Sequence, residues 1–226
     1  MKNALLQDKI FRIYTKLPHC VLAKRKHLKD IRSRFDYKNL SDISIFSSNC
    51  VGGEIYTLLG IKFLSPLINI SINRDEFIVL CTYLKEYMKC PLRVSKTKEG
   101  NCIAALGDEN IGLNDIEIRF PHDTDPDKVK ANWERRCSRI NFDKLVLIND
   151  DKGLNEEDYV AYDKIQAFRK ICLTAQDRSQ KWNWCHQIEA YKDQKMTGEY
   201  NGKSLDGLWN FTKIWDYVSF LNGYDQ

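Results

Sequence analysis

The chemistry available to this 226-residue chain concentrates around Cys50 and His122. Residues 43–56 read ISIFSSNCVGGEIY. An apolar run, Ile43 to Phe46, stops at Ser47-Ser48-Asn49-Cys50, two glycines follow, and Glu54 to Leu59 has the character of a helix. Strand, glycine turn and helix in this order bring backbone N–H groups and polar side chains to one edge of a sheet. Ser48, Asn49, Gly52, Gly53 and Glu54 are therefore candidate contacts for an anionic or hydroxylated substrate. The competing reading is a tight turn, because the pattern is neither G-x-G-x-x-G nor a P-loop. Cys50 precedes the helix N-terminus, where a thiolate is favoured, and is a candidate nucleophile. No partner base lies near it in sequence, which leaves a packed thiol as the alternative. His122 follows the alternating segment Asp115–Phe120 (DIEIRF) and is a candidate acid, base or ligand, or else a capping or surface histidine.

Other strand ends supply further candidates. Asn149, Asp150 and Asp151 follow the apolar run Lys144–Ile148, and Asp150 is taken as a substrate contact. Thr174, Gln176 and Asp177 follow Arg169–Leu173. Polar strand ends also arise simply because loops are wet. Asp123-Thr124-Asp125 imitates the D-x-D that holds a divalent cation and a diphosphate. Asp125 followed by Pro126 is equally a helix N-cap, and no metal ligand is assigned. Arg135 and Arg139, four residues apart with Arg136 between them, can clamp a phosphate or carboxylate, or pair with Glu134 or Asp143. Arg136 and Arg139 are the substrate candidates here. Trp182, Trp184 and His186 offer aromatic faces to a sugar, against the commoner fate of burial in a core.

The elements that must position these groups follow from periodicity. Helical spacing covers residues 4–17 and 20–35, broken near Pro18. Strands are expected at 43–46, 67–72, 115–120, 144–148 and 169–173, with a hairpin of 92–95 and 102–106 around Lys98-Glu99-Gly100-Asn101. Helices are expected at 54–59, 76–88, from Pro126 onward, 155–165, 181–194 and 208–221. The alternation predicts an α/β fold: a mostly parallel sheet with helices on both faces, one local hairpin and an N-terminal helical arm. The arm is placed at 1–41 and the α/β domain at 42–226.

Composition limits the remaining options. Hydrophobic content of 43% and charged content of 29% are ordinary for a globular chain. Residues 1–42 hold eleven Lys/Arg against four Asp, or +7, so the net +4 leaves −3 for the rest. The basic arm can approach an anionic membrane surface, or form a solvated helix face. No nucleic-acid-binding pattern accompanies it. The eight cysteines are scattered without C-x-x-C spacing and read as reduced thiols, several of them buried. Without an apolar leader or a span of about 20 apolar residues, a cytoplasmic location is expected, possible contact with the inner membrane being through the arm.

The motifs SSNCVGGEIY with SPLINI, DIEIRFPH, WERRCSRIN, LVLINDD and ICLT, spanning residues 43–174, resemble a family of bacterial proteins associated with exopolysaccharide and capsule biosynthesis. That family carries a domain-of-unknown-function label. By motif position the resemblance implies roles for Ser48, Asn49, Cys50, Gly52, Gly53, Glu54, Asp115, Glu117, His122, Trp133, Arg136, Arg139 and Asn141. Members often lack the acidic pair after His122, which weakens the D-x-D reading. The expected function is surface-polysaccharide assembly, as a transferase acting on a sugar or nucleotide sugar, with His122 as base. Two alternatives are a non-catalytic accessory protein docked on the membrane by its arm, and acyl transfer through Cys50. No cofactor is named by the sequence.

Overall fold

A computed structural model describes residues 18–197, 199–200, 203–204 and 215–224. The expected helical stretch at 4–17 and the 208–214 part of the expected C-terminal helix lie outside these residues. The fold is mixed α/β. A parallel sheet has the strand order β1 (Ser44–Ser47), β5 (Leu145–Asp150), β6 (Arg169–Thr174), β7 (Cys185–Gln187). A separate antiparallel sheet is made of β2 (Leu92–Lys96), β3 (Cys102–Asp108) and β4 (Leu113–Phe120). A two-residue pair, β8 (Glu199–Tyr200) with β9 (Lys203–Ser204), completes the strands.

The expected hairpin is present as β2 and β3. The DIEIRF strand forms too, but it pairs antiparallel with β3 and does not join the parallel sheet. Its alternation is the signature of a sheet with one buried face, which is the antiparallel pattern. The expected strand at 67–72 is a loop with one bridge, Ser71 to Arg119. Pro66 precedes it and Asn69 adopts a left-handed φ of 58°, so no ladder propagates. The expected helix at 181–194 is overturned: Cys185–Gln187 pairs with the edge of β6.

The helices among the described residues are α1 (Pro18–Arg34), α2 (Tyr37–Leu40), α3 (Val51–Leu59), α4 (Arg74–Thr82), α5 (Leu84–Tyr87), α6 (Pro126–Cys137), α7 (Glu156–Asp163) and α8 (Tyr217–Asn222). None is long and apolar enough to cross a membrane. Asp125 caps α6, accepting from the amides of Asp127 (3.1 Å) and Lys128 (3.2 Å), with Pro126 at the first helical position. Asn155 and Asp158 form a reciprocal capping box on α7.

Strand alternation divides the core in two. Phe46, Leu147 and Cys172 belong to a cluster with α4, α6, α7 and the antiparallel sheet. Ile45, Val146, Ile148, Ile171 and Leu173 belong to another with α3, α8 and the end of α1. Ile31, Phe35 and Leu40 are buried in that second cluster, so the part of the arm approaching residue 41 is packed onto the α/β body.

β1 lies at an edge of the parallel sheet, and Tyr56 from α3 covers it. The Tyr56 hydroxyl accepts from the Ile45 amide (2.8 Å) and donates to the Ile43 carbonyl (3.1 Å). Ser44 ties β1 to two loops, its hydroxyl donating to the Leu64 carbonyl (2.9 Å) and accepting from the Asn141 amide (2.8 Å).

Trp182 and Trp184 are core residues, packed with Tyr159 and Tyr162. The Trp184 indole donates to Asp163 Oδ1 (2.7 Å). Trp184→Ala removes the buried ring from its packing against Tyr159, Tyr162 and Trp182. It is expected to cost about 3–5 kcal/mol, read as a lowered midpoint in urea unfolding.

Candidate functional site

Segment 70–72 joins the two sheets. The Ser71 amide donates to the Arg119 carbonyl (2.9 Å) and the Arg119 amide returns the bond (2.8 Å), fixing the segment to β4. The Ile72 amide donates to the Ser48 carbonyl (2.9 Å), fixing it to the turn after β1. Between these bonds the Cys50 thiol lies 3.6 Å from the Ile70 carbonyl oxygen. Just past β4, the Pro121-His122 turn is closed by the Asp123 amide on the Phe120 carbonyl (3.2 Å). The Asp123 carbonyl accepts from Cys102 (2.8 Å), which ties the turn to β3.

The outcome is a cysteine–histidine pair. Cys50 Sγ and His122 Nε2 are 4.0 Å apart, although 72 residues separate them in sequence. Cys50 is the N-cap of α3 and 7% exposed, whereas His122 is exposed. The thiol carries one hydrogen and has two acceptors within reach, the Ile70 carbonyl and the imidazole. The sequence placed both residues among the candidates and left Cys50 without a base; the structure supplies His122.

The rest of the 47–54 turn is internally bonded. The Ser47 hydroxyl donates to the Asn49 carbonyl (2.6 Å) and accepts from the Gly52 amide (2.9 Å). Asn49 Oδ1 accepts from the Val51 amide (2.9 Å), and its NH₂ donates to Asp150 Oδ2 (3.0 Å). Two amides at the start of α3 are thus engaged within the turn. A Cβ on Gly52 would stand 2.7 Å from Ser47 Oγ, and one on Gly53 would stand 2.8 Å from Asn69 Oδ1. Both glycines admit a close approach of neighbouring groups. Ser48 is fully buried, and its hydroxyl finds no partner among the described residues. Glu54 is partly buried in the first turn of α3.

Asp150 is 2% exposed and is held by Arg74, whose Nε (2.8 Å) and Nη2 (2.6 Å) form a two-pronged contact. Sequence reasoning missed Arg74, whose only local signal is a helix start, and the acid it meets is 76 residues away. Asp151 accepts from the Ala175 amide (2.8 Å) and the Thr197 hydroxyl (2.7 Å). Of these two acids, Asp150 supports the turn that carries Cys50, through Asn49.

Arg136 shares a cleft with Asp123, the residue after His122, and Arg139 is separated from the helix. α6 ends at Cys137, so Arg139 lies beyond it. Arg135 donates to Asn132 Oδ1 (2.6 Å). Asp123 and Arg136 line a cleft of about 170 Å³ between Pro66–Asn69 and α6. Of the other residues implied by resemblance, Asp115 pairs with Arg93, Glu117 with Arg119, Trp133 is buried in the core, and Asn141 bonds to Asp42. Half-buried His186 has its imidazole pKa lowered by burial and lies beside Trp215, apart from Trp182 and Trp184. Among the described residues, no three His, Cys, Asp or Glu side chains converge as metal ligands.

Fold and site together define a mixed α/β protein with a cysteine–histidine pair where its two sheets meet. Residues 23–222 match the family described as Domain of unknown function (DUF1919), and the chain belongs to that family. It is also 24% identical, over 188 residues, to an uncharacterized protein of Haemophilus influenzae, covering 81% of this chain and 84% of the relative.

Two substitutions test the support beneath the pair. Arg74→Ala strands the Asp150 carboxylate in the interior and is expected to cost about 3–5 kcal/mol by chemical denaturation. Gly52→Ala drives a methyl into Ser47 Oγ and is expected to cost about 1–3 kcal/mol. That exceeds the ~1 kcal/mol alanine gains over glycine in a helix, so a net loss of stability is expected.

Proposed function

We propose that this protein is a sugar-modifying transferase of surface-polysaccharide assembly, working by acyl transfer through Cys50 with His122 as general base. What carries the reading is the 4.0 Å approach of Cys50 Sγ to His122 Nε2 at the N-terminus of α3. Cysteine beside histidine is a nucleophile with its base, and a helix N-terminus favours the thiolate. The biological setting comes from the motif resemblance.

The transfer runs in two half-reactions. His122 takes the thiol proton, and Cys50 Sγ attacks the carbonyl carbon of an acyl ester or thioester donor. The bond to the donor's leaving group breaks, and that group departs with the proton from His122. Cys50 then holds the acyl group as a thioester. A sugar hydroxyl attacks this thioester while His122 accepts its proton. The new ester leaves, and the proton returns to Cys50. An exposed His122 can meet the sugar hydroxyl in the second half-reaction without burying it.

Cys50→Ala and His122→Ala strains are expected to lose O-acyl groups from their surface polysaccharide while keeping its sugar backbone, as read by nuclear magnetic resonance of the purified glycan. Loss of the base is expected to slow transfer by roughly 10²–10⁴-fold. Circular dichroism of the variants separates this loss from unfolding. Full acylation in the Cys50→Ala strain overturns the acyl-transfer mechanism.

A further inference from the structure

The cleft beside the Cys50–His122 pair has a wall of three evenly spaced side chains. Lys128, Asn132 and Arg136 stand four residues apart on α6 and form one stripe, while Val129 and Trp133 on the adjoining face are buried in the core. Asn132 Oδ1 is committed to Arg135, which leaves its NH₂ as the free donor. Asn69, in its left-handed conformation, lies on the opposite wall. Two chain connections bind the cleft to the pair. Asn69 precedes Ile70, whose carbonyl faces the Cys50 thiol, and Phe120 and Asp123 flank His122.

Arg136 is the group that the fold leaves incomplete. It is partly buried, with Cζ 5.6 Å from the centre of the Phe63 ring. Among the described residues its guanidinium makes no hydrogen bond or ion pair. Burial and the nearby charges of Arg135 and Arg139 lower its pKa, while Asp123 opposes them. Among the described residues, Asp123 is the one acid on the cleft lining, against Lys128 and Arg136. Holding a desolvated cation without an anionic partner is unfavourable, and a bound anion relieves it.

We infer that this cleft takes a phosphate or diphosphate group of the substrate, with Arg136 as its anchor and Lys128 and Asn132 as further donors. The inference deepens the transferase proposal and rests on it for the role of the bound molecule. An anion here lies in the cleft lined by Asn69 and Asp123, one residue from Ile70 and from His122, so a phosphorylated donor or acceptor is held by its charged end. A nucleotide sugar and a nucleotide-bearing acyl thioester both present this chemistry.

Isothermal titration of the full chain with inorganic pyrophosphate, uridine diphosphate and coenzyme A tests the site. Pyrophosphate is expected to bind, to weaken as salt rises, and to bind about tenfold or more weakly to Arg136→Ala, with partial recovery in Arg136→Lys. Tighter binding of uridine diphosphate identifies the acceptor as the phosphorylated substrate; tighter binding of coenzyme A identifies the donor. Either result supports the site. Pyrophosphate that fails to bind, or binds a folded Arg136→Ala unchanged, overturns it. Cys50→Ala is expected to retain pyrophosphate binding, which keeps the anion site and the acyl-transfer chemistry separately testable.

Discussion

The three residues Ile70, Ser71 and Ile72 set the geometry on which the candidate site depends. Their backbone is bonded to β4 on one side and to the turn after β1 on the other. The two sheets otherwise have no shared ladder. Cys50 follows β1 of the parallel sheet and His122 follows β4 of the antiparallel one, so their 4.0 Å separation is a property of this joint. Neither residue alone defines a reacting centre. A thiol without a base is a packed side chain, and an exposed histidine without a nucleophile is ordinary surface. The buried Arg74–Asp150 pair and the amide of Asn49 hold the first half of the joint in place from beneath.

What the sequence revealed was mostly local. Asp125 and Pro126 announced α6, because capping acts within a few residues. The run Lys144–Ile148 and the hairpin around Lys98–Asn101 were legible for the same reason. DIEIRF was legible as a strand, but alternation does not say which neighbour it will pair with. Leu67–Ile72 misled because apolar content resembles a strand while Pro66 and Asn69 break its continuity. Cys185–Gln187 was hidden inside an aromatic stretch that suits either element, and the open edge of β6 decided the matter.

The candidate site was legible residue by residue and not as an arrangement. Cys50, His122 and Arg136 each attracted notice by type and position. Their convergence depends on contacts made across 72 residues and on the packing of α6 against the meander. Small polar residues at 48–53 suggested a cradle for substrate, and their bonds are largely to one another. A turn that must present a thiol at a helix start needs its own hydroxyls and amides to hold shape. The same residue types therefore signal a ligand site and a braced turn equally well.

Tyr56 and Ser44 have a consequence for how this molecule behaves among its own copies. An exposed border of a sheet invites strand addition by another polypeptide, with aggregation as the hazard. Here the Tyr56 phenol occupies two of the backbone groups through which such addition would begin, at Ile43 and Ile45, and Ser44 binds the Leu64 carbonyl. Another copy of the chain thus meets a border whose backbone groups are in part already taken, in a sheet whose other edge strand, β7, is only three residues long.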